Sequence, residues 1–176
     1  MPSTWISTSS RGKSPVDSPP VVNASPLIYL SHAGLIDLLQ TENEIVIVPR
    51  TVSEEIQRRG PRDPTVQILT RTSWIQEADP VPPSPPVLTW RLGPGETSVL
   101  SWSLAHPGSV AIVDDLAARR CAEVLGILLI GTLGLVLKAK RKGLLAAARP
   151  AAEKLLAAGM YLSTKTLDRA LALVGE

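Results

Sequence analysis

Residues 110–115 read VAIVDD, an apolar run of strand length that ends in two adjacent acids. Val21-Val22 leads into Asn23 in the same way, and the run EIVIV at residues 44–48 leads toward Glu55. Segments in which apolar residues recur at helical spacing separate these runs. Alternating strands and helices predict an α/β fold, in which a mostly parallel sheet is covered by helices on both faces.

The polar residues that follow these strands form one candidate site. In an open parallel sheet the carboxyl ends of the strands converge on a crevice, where ligands bind. Glu96 joins the set because it opens a helix-like segment within the sequence GPGE at residues 93–96. Carboxylates gathered in this way repel one another unless a hard cation such as Mg²⁺ or Mn²⁺ neutralises them. The pattern therefore indicates a metal site.

Each acidic pair contains one residue with an expected structural role. Because strand side chains alternate, one of Asp114 and Asp115 should face the site, while the other caps the helix that starts near residue 116. Residues 51–54 read TVSE, a capping box that occupies Glu54 and leaves Glu55 free for the site.

Glu96 shares its helix face with Val99, Leu100 and Ser103, which lie three, four and seven residues later. A carboxylate on an apolar face needs a partner, which favours a role in the site. The alternative is an acid in the first helical turn that the helix dipole stabilises.

Two further helix starts are predicted close to the strands. Ser25 is predicted to cap a helix whose first position is Pro26, and Thr132 is predicted to cap the helix that follows the apolar strand at residues 127–130. The helix after Thr132 runs into the basic sequence KAKRK at residues 138–142. This cluster is interpreted either as a phosphate-facing patch or as a solvated helix end, which cations also stabilise.

Length and composition bound the class of protein. A chain of 176 residues, 44% of them hydrophobic, can bury one sizeable core and is most simply one domain at residues 21–176. Residues 1–20, rich in Ser and Pro, are predicted to be a disordered extension. The single Cys121 forms no intramolecular disulfide, which fits a reducing cytoplasm. The apolar stretch at residues 124–137 is shorter than the roughly 20 residues that a membrane span requires.

Several functional classes lose support from the motifs that are missing. The sequence has no glycine-rich dinucleotide loop, no Walker-type loop and no serine-centred nucleophile elbow. His32 and His106 have no Cys or second His at zinc-ligand spacing. A small-molecule protein that binds phosphate at Gly131-Thr132, with the acids acting as helix caps, stays open as a minor alternative.

Taken in order, the motifs resemble the PIN-domain superfamily, and within it the VapC-like branch often catalogued as a domain of unknown function. The resemblance spans residues 21–176. The motifs that carry it are Val21-Val22-Asn23-Ala24-Ser25-Pro26-Leu27-Ile28, Val48-Pro49-x-x-Val52-x-x-Glu55, Gly93-x-Gly95-Glu96, Ile112-Val113-Asp114-Asp115-x-x-x-Arg119 and Gly131-Thr132-Leu133-Gly134.

The resemblance implies a three-layer α/β/α sandwich and a Mg²⁺- or Mn²⁺-dependent ribonuclease, often the toxin of a toxin–antitoxin pair and commonly a homodimer. A protein antitoxin would insert a peptide into the acidic groove. The implied metal ligands are Asn23, Glu96, Asp114 and Asp115, and the implied catalytic acids are Glu55, Glu96, Asp114 and Asp115. RNA would contact the chain at Ser25, Thr132, Lys138, Lys140 and Arg141.

Asn23 departs from the family pattern, which has an aspartate at this position. An amide offers one neutral oxygen where a carboxylate offers a charged and sometimes bidentate ligand. Two readings follow: a ribonuclease that tolerates asparagine, or a catalytically impaired relative that binds RNA or an antitoxin.

Overall fold

The computed structural model describes residues 18–176. Strands and helices alternate along most of this part of the chain, as the sequence predicts. The strands are β1 (Val21–Val22), β2 (Val46–Pro49), β3 (Ile75–Ala78), β4 (Ala111–Ile112) and β5 (Leu129–Ile130). The helices are α1 (Ala24–His32), α2 (Arg50–Gln57), α3 (Pro64–Arg71), α4 (Pro85–Leu88), α5 (Pro94–Ala105), α6 (Leu116–Val124), α7 (Thr132–Arg141), α8 (Arg149–Ala157) and α9 (Thr164–Ala172), with a 3₁₀ helix at Ile36–Thr41.

The five strands form one sheet in the order β3-β2-β1-β4-β5, and every neighbouring pair is parallel. The chain runs outward from β1 to β3 and then returns to the other side of β1. Because crossovers between parallel strands are right-handed, α1, α2 and α3 cover one face of the sheet, and α5 and α6 cover the other. The helix after the last strand, α7, packs against α1 and the 3₁₀ helix. This confirms the predicted α/β sandwich with a parallel central sheet.

The order of the strands fixes where a ligand crevice forms. β1 and β4 are neighbours, although they belong to the two halves of the chain, and Val22 pairs with Ile112. Such a reversal of strand order opens a crevice beyond the carboxyl ends of the two strands. Asn23 follows β1, and the backbone N–H of Asn23 donates to the carbonyl of Ile112 at 3.1 Å.

Aliphatic side chains fill the core between the sheet and its helices. The central strands are fully buried, and they pack with helical residues such as Leu27, Leu100, Leu135 and Leu155. Burial of this apolar surface is the main favourable term that holds the strand ends in place. The free thiol of Cys121 belongs to the same core, and burial raises its pKa.

The predicted helix caps are wrong at three positions. Ser25, Thr51 and Thr132 all lie inside the first turn of their helices, and the N-cap residues are Asn23, Pro49 and Gly131. In each case the strand leads into the helix with almost no loop, so the cap is the residue at or next to the strand end. Glu54 therefore has no capping partner at Thr51.

The predicted extension at residues 1–20 falls outside the described residues up to residue 17. Residues 18–20 are tied to the domain: Ser18 donates to the carbonyl of Pro107 at 3.1 Å, and Ser109 donates to that of Pro19 at 2.6 Å. Within residues 18–176, no helix is long and apolar enough to span a bilayer.

Candidate functional site

Asn23 and Glu96 form the centre of the site. Asn23 lies at the end of β1 and is 3% exposed, while Glu96 lies in the first turn of α5. The side-chain amide of Asn23 donates from Nδ2 to Oε1 of Glu96 at 3.0 Å. Glu96 is thus aimed at the end of the central strand, as its place on the apolar face of the helix predicts.

The other side of the Asn23 amide lacks a partner. Oδ1 of Asn23 is buried and accepts no hydrogen bond within the described residues. A buried acceptor without a donor costs about 1–3 kcal/mol of stability. Such a cost points to a group, not supplied by the fold, that would contact this oxygen.

Gly95 keeps the space beside that oxygen open. A Cβ atom added at Gly95 would lie 2.7 Å from Oδ1 of Asn23 and 3.2 Å from Oε2 of Glu55. The helix therefore requires a glycine here because of close approach, and the two oxygens lie around one point. Glu55 reaches this point from α2, where its side chain is exposed.

Asp114 is held by the start of α7. Its Oδ1 accepts from the backbone N–H of Thr132 at 2.8 Å, and its Oδ2 accepts from the Thr132 hydroxyl at 2.5 Å. Thr132, fully buried, is thereby fixed against the acid instead of facing the cleft. Both of these donors are neutral groups.

Asp115 has the structural role predicted for one member of the pair. Its Oδ1 accepts from the backbone N–H of Ala118 at 2.8 Å and so caps α6. Asp115 is exposed and lines the same cleft as Asp114. Its second oxygen remains directed to solvent or a ligand.

Arg119 is a cleft residue that the candidate set above does not contain. A Cβ atom at Gly131 would collide with the Arg119 guanidinium and would lie 3.0 Å from Oδ1 of Asp114. The guanidinium therefore lies against Gly131, next to the acid. Its spacing of four residues from Asp115 on one helix face was the available sequence signal.

The acids open onto a cleft of about 810 Å³. Its polar wall contains Ser25, Glu96, Asp114, Asp115 and Arg119, and its apolar wall contains the residues Tyr29, Leu116, Leu129, Ile130, Leu133, Leu137, Met160, Tyr161 and Leu162. Tyr161 is 90% exposed and stands at the rim. The cleft is large enough for one or two nucleotides or for a short peptide segment.

The donor set suits a hard cation held by few protein ligands. Asn23, Glu96 and Asp114 offer oxygen atoms, and the buried Asn23 oxygen has no other partner. No three His, Cys, Asp or Glu side chains within residues 18–176 are close enough to form a closed metal cage. Mg²⁺ binds well to one or two carboxylates when water and substrate phosphate complete its shell, and these residues fit that mode.

The basic residues predicted to contact RNA lie at the other end of α7. Lys138 forms an ion pair with Glu42 at 2.6 Å, and Lys140 lies 3.5 Å from Glu176. Arg141 donates to the carbonyl of Leu173 at 3.4 Å. None of these three basic side chains lines the cleft, so their contact with RNA stays a prediction.

Comparison with known proteins identifies the family. The sequence model of a family described as a PIN domain matches residues 19–176, which is nearly the whole described chain. No curated protein and no solved structure matches the chain. PIN domains are in general nucleases that depend on divalent metal ions. The chain therefore belongs to the PIN-domain family.

Proposed function

We propose that this protein is an Mg²⁺- or Mn²⁺-dependent ribonuclease that hydrolyses phosphodiester bonds of RNA. The observation that carries the proposal is the convergence of Asn23, Glu96 and Asp114 at the crevice between β1 and β4. These side chains come from three distant parts of the sequence and share a hard-oxygen chemistry. Capping alone accounts for Asp115 but not for Glu96.

In this proposal the site residues divide into ligands and substrate-binding groups. Asn23, Glu96 and Asp114 would hold the cation, with Asp115 and Glu55 orienting water. When bound, such an ion supplies Lewis-acid activation of water and stabilises the charge that develops on the phosphate. Arg119 would bind a phosphate oxygen through its planar, permanently charged guanidinium. Ser25, on the cleft wall, would contact the sugar or phosphate.

A second function has its own supporting observation. The Asn23 amide donates to Glu96, so a neutral donor already stabilises the carboxylate that a cation would otherwise bind. A catalytically impaired domain that still binds RNA or a partner protein is consistent with that contact. The two proposals differ in whether the chain cleaves RNA with asparagine at residue 23.

Cleavage of single-stranded and structured RNA with Mn²⁺ tests both proposals. The chain as given, Asn23→Asp and Glu96→Gln are compared, with EDTA as the metal-free condition. We expect cleavage by the given chain that EDTA and Glu96→Gln abolish. If the given chain does not cleave RNA but Asn23→Asp does, the impaired binding domain is favoured. If none of the three proteins cleaves RNA, the nuclease proposal is contradicted.

The role of toxin in a toxin–antitoxin pair is part of the same proposal. The cleft has an apolar wall, where Leu116 and Tyr161 are 61% and 90% exposed, beside its acidic floor. A protein antitoxin could place the basic residues of a segment on the acids and its apolar residues on the apolar wall. Growth arrest on expression, relieved by co-expression of the neighbouring reading frame and lost in Glu96→Gln, would support this role.

A further inference from the structure

The two ends of the Asn23 amide lie in different surroundings. Its nitrogen donates to Oε1 of Glu96, while its oxygen points into the space beside Gly95, near Oε2 of Glu55. An oxygen beside a carboxylate oxygen is an unfavourable pairing, since both atoms are acceptors. The buried oxygen has no donor within the described residues, so the pairing is not relieved by the rest of the fold.

Rotation of the amide by 180° reverses both contacts. The nitrogen would then point toward Oε2 of Glu55, and the oxygen would point toward Glu96. In this second orientation Asn23 and Glu96 present two oxygens to the same space, which suits a hard cation, whereas an N–H group there would repel one. The two orientations therefore differ in which carboxylate the N–H group faces.

We propose that Glu55 is a positioning residue, which accepts the Asn23 amide and thereby turns the Asn23 oxygen toward a divalent cation at Glu96. The inference rests on the metal dependence in the proposed function, but it concerns binding and not cleavage. It assigns Glu55 a role that exists only because residue 23 is an asparagine. With aspartate at that position no N–H would be present for Glu55 to accept.

Four proteins test this role: the given chain, Glu55→Gln, Asn23→Asp and the double variant Asn23→Asp/Glu55→Gln. Mn²⁺ affinity is measured by calorimetry without RNA. In the given background, the new glutamine amide donates to the Asn23 oxygen and fixes the orientation that disfavours the ion, so we expect affinity to fall about tenfold. In the Asn23→Asp background the same amide donates to the carboxylate, and we expect less than a twofold change.

A second readout follows the amide itself. The side-chain ¹⁵N and ¹H resonances of Asn23, assigned by their loss in Asn23→Asp, should shift on addition of Mg²⁺ to the given chain and should be much less responsive in Glu55→Gln. Glu54→Gln is the matched control, because Glu54 is an exposed neighbour on α2 that does not lie beside Gly95. This control should bind Mn²⁺ as the given chain does.

Three outcomes would overturn the inference. An equal loss of affinity from Glu55→Gln in both backgrounds would make Glu55 a direct ligand, and no loss in the given background would give it no role. Mn²⁺ binding only after Asn23→Asp would show that the asparagine oxygen is not a ligand. If the Mn²⁺ affinities follow the expected pattern but the chain does not cleave RNA, the nuclease proposal is contradicted and the positioning role of Glu55 stands.

Discussion

Glu42 and Asp63 each face a cation, whereas Glu96 and Asp114 face only neutral hydrogen-bond donors. The first two acids are framework acids, which join elements of the fold, and the other two are cleft acids. Within residues 18–176, no Lys, Arg or His side chain forms an ion pair with Glu55 or with any cleft acid. The fold thus pairs its structural carboxylates directly with cations, whereas the cleft acids have no such pair and, among the described residues, only the Arg119 guanidinium lies near them.

The two ends of α7 show the same difference over ten residues. At the start of the helix, Thr132 orients Asp114 through an N–H and a hydroxyl, and no cation is involved. At the other end, Lys138 is committed to Glu42, and Lys142 donates to the carbonyl of Thr41. Carboxylates without a direct ion pair, gathered in a cleft with one half-buried arginine, are typical of a binding site, because a structural role alone does not need them.

The largest expected effect comes from removing charge in the cleft. Asp114→Asn keeps an oxygen that can accept from Thr132 but removes one negative charge from the site. In the proposed site Asp114 holds the metal ion, and loss of such a carboxylate costs several kcal/mol of transition-state stabilisation, so we expect RNA cleavage to fall by about 100-fold or more. The midpoint of thermal unfolding should change little. Cleavage rates and melting curves of the two purified proteins check both parts.

The matched change at Asp115, whose proposed role is to orient water, sharpens this prediction. Asp115→Asn keeps an oxygen for the Ala118 N–H and retains the N-cap of α6. Its effect on cleavage should be clearly smaller than that of Asp114→Asn. Equal losses in the two variants would show that general negative charge, and not the specific ligand Asp114, is what the reaction needs.

The next largest effect is expected at the C-terminal end of α7. Lys138→Met leaves Glu42, whose side chain is 6% exposed, without its ion-pair partner. An unpaired buried carboxylate is costly, and we expect the free energy of unfolding to fall by about 2 kcal/mol. Urea unfolding measures the change. Cleavage by the protein that remains folded should be unaffected, since Lys138 does not line the cleft.

Lys165→Met is the control for Lys138→Met, because Lys165 is exposed and forms no ion pair within the described residues. Its stability should match that of the given chain within about 0.5 kcal/mol. Weakened RNA binding in Lys138→Met without lost stability would restore the prediction that the basic cluster contacts RNA.

Much of the fold and the gathering of the cleft acids follow from the sequence. Apolar runs that end in polar residues predict parallel strands, and the carboxyl ends of such strands meet by topology alone. That argument places Asn23 and Asp114 together, and helical spacing adds Glu96. Each of these inferences uses only local periodicity and one general rule of chain geometry.

The helix caps and the partners of charged residues do not follow from the sequence. Ser25, Thr51 and Thr132 are good capping residues, but tight strand-to-helix connections place them one or more positions too late to cap. The partner of Lys138, Glu42, directly follows the 3₁₀ helix almost a hundred residues earlier, and no local pattern pairs them. Likewise, only the packing around Gly95 shows that Oδ1 of Asn23 and Oε2 of Glu55 lie beside the same glycine.

The smallest expected effect concerns Asp63, a framework acid whose charge can be titrated. Burial alone would raise the pKa of this carboxyl, but the Arg59 guanidinium and the N–H and hydroxyl of Thr65 outweigh burial and hold the pKa at about 2. Arg59 donates from Nε to Asp63 at 2.7 Å, and the Thr65 N–H donates at 2.8 Å. The charged form is therefore the one that the folded state favours.

A folded-state pKa below the ordinary value of 3.8 sets the sign of the pH dependence. The stabilisation from Asp63 is complete above pH 4 and is lost as the pH falls through 4 toward 2, because the unfolded chain binds the proton first. With allowance for solvent screening we expect a loss of about 1 kcal/mol. Urea unfolding at pH 6 and pH 3 should show this loss in the given chain and a smaller one in Asp63→Asn. If both proteins lose the same free energy of unfolding between pH 6 and pH 3, the Arg59–Asp63 pair contributes nothing to acid sensitivity. The ion pairs of the framework acids would then not distinguish them energetically from the cleft acids.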